Sequence, residues 1–318
     1  MSLSPARGAT LVVLAAVLFG TTGTAQALGP GDLDPLAVGA GRVVLGGTIL
    51  AILAATRGAY RGRFGTPWVT VLCGGIGVAT YQLGFFSGVH LAGVAVGTVI
   101  ALGSCPLFAG LFEWLVTGHR PRPAWLAATC VAVVGVTVLV LSGRSDTGGT
   151  NPALGALPAL LAGLGYGIYT VCGSRLIARG ARADGAMGLL FGVGAVILLP
   201  VLLMRWPGGV DGAAGMAVVT YLALVPTVLA YLLFGSGLRV LRAGTVATLN
   251  LAEPVVAALL GIGILGESIS VLGSSGILIV VMGLALLALP SRRSSNPNPL
   301  NGQNNRGNKA CRLRRTAP

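Results

Sequence analysis

The stretch 249-LNLAEPVVAALLGIGILGES-268 is apolar for most of its length, yet a glutamate and a proline stand side by side inside it. Glu253 brings a charge into the apolar run. Pro254 has no N–H, and its ring collides with the carbonyl four residues back, so it interrupts a helix. What the pair means depends on the solvent around it, and the rest of the chain identifies that solvent.

Of the 318 residues, 54% are hydrophobic and 9% are charged, against about 25% charged in soluble domains. Mean hydropathy is +0.86. A water-soluble fold of this size cannot hide so much apolar surface, so the chain reads as a polytopic membrane protein. Charge-free intervals separate Arg7 from Asp32, Arg63 from His90, Arg122 from Arg144, Asp146 from Arg175, Asp184 from Arg205 and Asp211 from Arg239. Each interval holds a helix of about 20 residues, enough to cross a hydrocarbon core of about 30 Å. The runs are unbroken and rich in Leu, Ala, Val and Gly, unlike the alternating strands of a membrane barrel. The prediction is an all-α membrane protein with ten spans, at roughly 9–28, 35–56, 66–87, 92–116, 123–142, 152–173, 185–204, 213–235, 243–265 and 270–289.

Met1–Arg7, the apolar run after it and Ala25-Gln-Ala27 have the form of a secretory signal. The internal repeat described below includes this segment, so it is read as a retained first span. Cys73, Cys105, Cys130 and Cys172 fall within spans, Cys311 falls in the tail, and no C-x-x-C occurs. They read as small apolar fillers. His90 and His119 sit in separate short loops. No metal, cofactor or catalytic cluster is expected, and the chain does not read as an enzyme.

The net charge of +13 suggests nucleic acid until the basic residues are placed. With the N-terminus inside, Arg57, Arg61, Arg63, Arg120, Arg122, Arg175, Arg179, Arg182, Arg239 and Arg242 all fall in cytoplasmic loops. Arg7 and the tail arginines share that side. The outer loops hold only Arg144 and Arg205, beside Asp32, Asp34, Asp146 and Asp211. This positive-inside pattern puts both termini in the cytoplasm of a plasma-membrane protein. The excess charge then reports topology and contact with anionic lipid, not nucleic acid. Residues 291–318, rich in Asn, Pro and Arg, read as a disordered basic cytoplasmic tail.

The chain also repeats itself. In 8-GATLVVLAAVLFGTTG-23 and 155-GALPALLAGLGYGIYT-170, Gly8, Ala9, Leu14, Ala15 and Gly20 match Gly155, Ala156, Leu161, Ala162 and Gly167. Pro106 meets Pro254, Gly118 meets Gly266 and Gly135 meets Gly283, an offset of 148 residues. Each half then holds five spans. Five is odd, so the second half enters the membrane from the opposite side, as in inverted-repeat transporters.

Here a family resemblance becomes specific. The stretch 244-GTVATLNLAEPVVAALLGIGILGESISVLGSSGILIVVMGLALL-287 resembles the closing signature of an EamA domain of the drug/metabolite transporter superfamily. It has a small-residue helix entry, a mid-helix Glu-Pro, a Gly-Glu before the last span and a Gly-rich final helix. The opening 18-LFGTTG-23 is similar to the start of the first EamA span. The resemblance implies two inverted five-helix repeats, 9–142 and 152–290, around a central substrate cavity. The first repeat departs from the pattern, with Cys105-Pro106 and Gly118-His119 where the second has both carboxylates.

Pro106 and Pro254 are therefore expected to break helices at matching depths, next to protein or a cavity. A charge at mid-span costs roughly 2.5–3.5 kcal/mol, so Glu253 must face inward, pair or carry a proton. Asn250 shares its helical face. Together they could hold an amine-bearing solute or a coupling proton; equally, Glu253 could satisfy backbone freed by Pro254. Arg42, the basic residue inside the second span, could pair with Glu253 or a substrate carboxylate, or snorkel to headgroups. Tyr166 and Tyr169, with Thr170, share one face of the sixth span. Gln82, beside Thr80 and Tyr81, and Tyr231, beside Thr227, are further candidates for solute contact. Glu113 and Glu267 lie near helix ends and read as structural.

The literal G-x-G-x-x-G at 261-GIGILG-266 lies inside a span, without the strand a nucleotide fingerprint needs. It belongs with the small residues that let helices pack closely. The leading expectation is a secondary transporter, exporting a small metabolite such as an amino acid by alternating access, with lipid as its other partner. Efflux of small toxic cations and a non-transporting scaffold stay open as alternatives. The paired carboxylates or His–nucleophile set of a membrane enzyme is not seen.

Overall fold

The computed structural model describes residues 3–31, 33–60, 67–92, 94–118, 120–142, 152–206, 210, 212–266 and 270–288. The basic tail, His119, Glu267, Asp32, Asp146, Asp211, Arg61, Arg63 and Arg144 lie outside the described residues. The elements are α1 (Pro5–Ala27), α2 (Pro35–Thr56), α3 (Trp68–Ala92), α4 (Val94–Thr117), α5 (Pro123–Ser142), α6 (Pro152–Ala178) and α7 (Ala183–Arg205). They are followed by α8 (Gly212–Gly237), α9 (Ala243–Leu265) and α10 (Val271–Ala288). Among the described residues, 8 helices are long and apolar enough to cross a membrane. The other two, α5 and α10, carry the shorter apolar stretches Pro123–Leu139 and Val271–Leu287.

Local chemistry sets the helix ends. Ser4 caps α1 by accepting from the Arg7 N–H, with Pro5 at the first helical position. Asp34 caps α2 and Pro35 follows it. Gly118 after α4 and Gly266 after α9 adopt φ 71° and 70°. That left-handed turn ends a helix without the penalty a Cβ brings, which explains why the repeat keeps glycine at both positions.

Helix α2 packs along α7, α3 along α6, α4 along α6, α5 along α10, and α1 along α8 and α9. Exchanging the halves maps this pattern onto itself: α3 on α6 becomes α8 on α1, and α4 on α6 becomes α9 on α1. The approach is close because the interfaces are small-residue seams. A Cβ built on Gly165 would lie 2.6 Å from the Gly77 carbonyl oxygen, and one on Gly77 would lie 2.8 Å from that of Gly165.

The seams also give direction. Gly41 faces Leu202, Gly47 faces Ala195, and Gly188 faces Ala54, so α2 and α7 run antiparallel. Gly276 faces Leu139, Gly135 faces Val280, and Gly283 faces Ala132, so α5 and α10 do too. Helices related by the sequence repeat thus oppose each other, which is the relation an inverted pair requires. Large apolar side chains such as Leu72, Ile76, Val196 and Leu203 point outward and are exposed. In water that belt would be an aggregation surface; against lipid it is matched.

Candidate functional site

Pro254 leaves the carbonyl of Asn250, four residues earlier, without its usual donor. The backbone solves this locally. Residues Asn250–Ala252 tighten into a 3-10 turn, and the Glu253 N–H donates to the Asn250 carbonyl oxygen. A regular helix restarts at Glu253, with Pro254 in its first turn, where a missing N–H costs nothing. The freed carbonyl is satisfied by the Glu253 backbone, and the Glu253 side chain is left for other work. Its Oε2 accepts from Asn250 Nδ2 at 3.0 Å.

Pro106 behaves differently. It sits inside an unbroken α4, so the expectation of breaks at both matching prolines is corrected. The residues before it are held to the helix: Ser104 Oγ and Cys105 Sγ both donate to the Ala101 carbonyl, at 3.0 and 3.2 Å. The second irregular helix is α8. Its turn widens over Leu224–Leu229 around Pro226, and Thr227 Oγ1 donates to the Leu222 carbonyl at 2.8 Å. Leu222 is four residues before Pro226, so this hydroxyl satisfies the carbonyl that the proline frees. Among the described residues, both irregular helices therefore lie in the second half.

Sequence reading overlooked the α8 break. A proline followed directly by threonine inside a charge-free run was its signal.

The two irregular segments frame one cluster. Helix α1 reaches the α9 break closely enough that a Cβ on Gly20 would lie 2.9 Å from the Glu253 carbonyl oxygen. The adjacent Phe19 ring lies 4.9 Å from the Tyr231 ring on α8. Tyr231 Oη and Tyr169 Oη of α6 share a hydrogen bond at 3.1 Å. Tyr169 also touches Tyr81, Tyr166, Phe191 and Phe234, with ring centroids 5.0–6.4 Å apart. The tilted and edge-on ring geometries are those aromatic pairs prefer. Phe191 and Phe234 were not singled out from sequence, because isolated phenylalanines in apolar runs carry no local signal.

The structure thus brings Tyr166, Tyr169 and Tyr231 together, with Asn250 and Glu253 next to them. Gln82 and Arg42 adjoin from α3 and α2. A Cβ on Gly39 would run into Gln82 Nε2, and Arg42 is three residues beyond Gly39 on the same helical face. The Arg42 charge acts on Glu253, Tyr81 and Tyr231. The direct Arg42–Glu253 ion pair weighed from sequence is not formed: ion pairs among the described residues are Arg182–Asp184, Arg205–Asp34 and Arg242–Glu113. The two reach each other only through space, because Glu253 is turned toward Asn250.

Several polar atoms here are buried without a protein partner: Arg42 Nε, Gln82 Nε2, Tyr166 Oη, Thr170 Oγ1 and Asn250 Oδ1. Gln82, Tyr166, Thr170 and Asn250 are at most 6% exposed. Burying such groups unpaired costs roughly 1–3 kcal/mol each. Buried donors and acceptors that converge beside a carboxylate, a guanidinium and aromatic rings can be satisfied by a polar, amphipathic ligand or by water.

Glu113 lies apart from this cluster. Its Oε2 accepts the Gly244 N–H at 3.0 Å, and its Oε1 is 3.7 Å from Arg242 Nε. It caps the start of α9 and ties it to α4, consistent with a structural role.

The EamA-like transporter family model matches residues 6–141 and again 153–289. An uncharacterized transporter, YwfM, of Bacillus subtilis (strain 168) is 36% identical over 284 residues, covering 89% of this chain and 94% of the relative. A probable terminal-alkyne amino-acid exporter of Streptantibioticus cattleyicolor is 28% identical, over 80% of this chain and 82% of its own. The aromatic amino acid exporter YddG of Ancylobacter novellus is 27% identical, over 79% and 87%. A solved crystal structure superposes with a TM-score of 0.77 at 23% identity, over 92% of this chain and 100% of its own, which shows a shared fold. With the family model matching both halves and the helices arranged as above, this chain belongs to the EamA-like transporter family and is an integral membrane transporter of the drug/metabolite type.

Proposed function

We propose that this protein is a secondary transporter that exports an amino acid or a related amphipathic metabolite across the plasma membrane by alternating access. The observation that carries this reading is the Asn250–Glu253 pair, set beside an aromatic cluster and buried polar atoms that lack protein partners. Glu253 receives the amine or a coupling proton, Arg42 lies on the side of the carboxylate, and the rings of Tyr81, Tyr166, Tyr169 and Tyr231 take the apolar part. The exporters of amino acids among its relatives support this substrate class. In the full proposal all ten helices cross the membrane, five in 9–142 and five in 152–290, with both termini and the 291–318 tail cytoplasmic. Nothing in the sequence resembles an ATP-binding loop, so the flux is coupled to a proton, runs by exchange or runs downhill, in place of ATP hydrolysis.

The test is flux in proteoliposomes with a panel of amino acids. Glu253→Gln keeps the fold, loses flux at least tenfold and loses the pH dependence of the wild type. Wild-type flux and pH profile in that variant would overturn the role of Glu253. A second reading, efflux of small toxic cations, rests on the Glu253 carboxyl, which accepts from Asn250 and makes no ion pair among the described residues. Quaternary ammonium flux without amino-acid flux would select it. No flux of either class by folded protein would leave a scaffold.

A further inference from the structure

The 148-residue offset between the halves places Asp34 on Arg182 and Arg57 on Arg205. At one end of the α2/α7 pair, the Asp34 carboxylate joins the two helices. Its Oδ1 accepts the N–H groups of Leu36 and Ala37 at 2.8 and 3.4 Å, and its Oδ2 accepts from Arg205 Nη1 at 3.3 Å. At the opposite end the repeat supplies arginine at both corresponding positions. There, where α2 ends and α7 begins, lies an open cavity of about 530 Å³, lined by Arg57, Arg182, Asp184 and Arg239, with Leu232 and Ser236 of α8.

The charges in this cavity do not balance. Arg182 is engaged by Asp184, with Nε and Nη2 donating to the two carboxylate oxygens at 3.1 and 2.8 Å. Among the described residues, Arg57 and Arg239 make no ion pair. Two guanidiniums thus line a cavity at the end of the α2/α7 pair where the repeat puts arginine in place of the Asp34 carboxylate.

We propose that this cavity is an anion site, in which a carboxylate or phosphate group binds between Arg57 and Arg239. The anion supplies at this end the negative charge that Asp34 supplies at the other. Guanidinium forks match both oxyanions bidentately. A soluble anion and an anionic lipid headgroup share this chemistry, and basic pockets at the arginine-rich face of a membrane protein attract either. Arg57 belongs to the end of α2 and Arg239 follows the end of α8, so the bound anion bridges these helices. The site shares no residue with the Asn250–Glu253 cluster, and its presence does not depend on which solute that cluster carries.

The experiment uses the full chain in phosphatidylcholine nanodiscs, titrated with inorganic phosphate at constant ionic strength, with Tm as the readout. The expected result is a saturable rise in Tm. Arg57→Gln combined with Arg239→Gln weakens the apparent affinity at least tenfold, while Arg205→Gln at the other end leaves it unchanged. In discs containing phosphatidylglycerol, a headgroup ligand raises Tm in the absence of phosphate and removes the phosphate response, whereas a soluble-anion site keeps that response. Arg182→Asp rebuilds the Asp34 arrangement within the chain, so it raises Tm without phosphate and abolishes the response. The proposal is overturned if neither phosphate nor phosphatidylglycerol moves Tm, or if either shift survives in the double variant. Should the double variant fail to fold, an unchanged phosphate response in Arg182→Asp overturns it instead.

Discussion

The backbone N–H of Glu253 donates to the carbonyl oxygen of Asn250, the group that Pro254 would otherwise leave without a donor. The proline and the glutamate are therefore solved separately. Backbone closes around the proline, and the glutamate side chain turns back to the amide of Asn250.

Pro254→Ala restores an N–H for the Asn250 carbonyl and lets the regular helix run through. The 3-10 turn relaxes, and the Asn250–Glu253 pair moves relative to the aromatic cluster. The expected result is an unchanged or higher Tm together with slower flux. A variant that transports at the wild-type rate would show that the irregular turn is dispensable.

Asn250→Ala removes the donor to the Glu253 carboxylate. Such a hydrogen bond contributes about 0.5–3 kcal/mol, the upper part of that range when the carboxyl is ionised, so Tm falls. Asn250→Gln, which keeps an amide one methylene further out, recovers part of the loss. Equal destabilisation by both variants would count against the hydrogen bond as the source.

Thr227→Val keeps shape and removes the hydroxyl that satisfies the Leu222 carbonyl. The cost is about 1–3 kcal/mol, because a buried acceptor is left unpaired. Thr48→Val is the control: its hydroxyl donates to the Val44 carbonyl at 2.6 Å on an exposed face, and that carbonyl has no proline four residues after it. A Tm drop at Thr48 as large as that at Thr227 would remove the proline from the explanation.

Gly165→Ala places a methyl group against the Gly77 carbonyl in the α3/α6 seam, and Gly263→Ala places one where no atom lies within 4 Å. Overpacking costs roughly 1–3 kcal/mol or more, so Gly165→Ala lowers Tm and yield while Gly263→Ala leaves both unchanged. Loss of stability at Gly263 would contradict the packing described for α9.

The proposed topology is checked by a variant in which Cys311 is the sole cysteine. A membrane-impermeant maleimide should label it in cells only after permeabilisation. Labelling of intact cells would place the C-terminus outside.

Much was legible along the chain itself. Charge-free runs mark membrane helices because an unpaired charge is costly in the hydrocarbon core and is tolerated only near the interfaces. The repeated Gly118 and Gly266 mark helix ends because the left-handed turn is a local backbone requirement. The 148-residue repeat implied inversion by parity alone, and the antiparallel seams of α2 with α7 and of α5 with α10 agree with it.

The proline rule marks an orphaned carbonyl but not its remedy. Prolines inside helices meet that problem differently: Pro254 with a 3-10 turn, Pro226 with a wide turn and a threonine hydroxyl, and Pro106, Pro158 and Pro200 within continuous helix. Nearby donors and packing decide among these, and they belong to the folded chain. Arg42 and Glu253 carry opposite charges, so sequence permits a pair; α2 packs along α7, α8 and α3, and the Glu253 carboxyl meets the Asn250 amide instead. Sequence by itself determined the class, the repeat and the candidate residues, because solvent and backbone constraints act locally. Which of those residues meet in one cluster was decided by helix packing, where contacts join positions far apart in the chain.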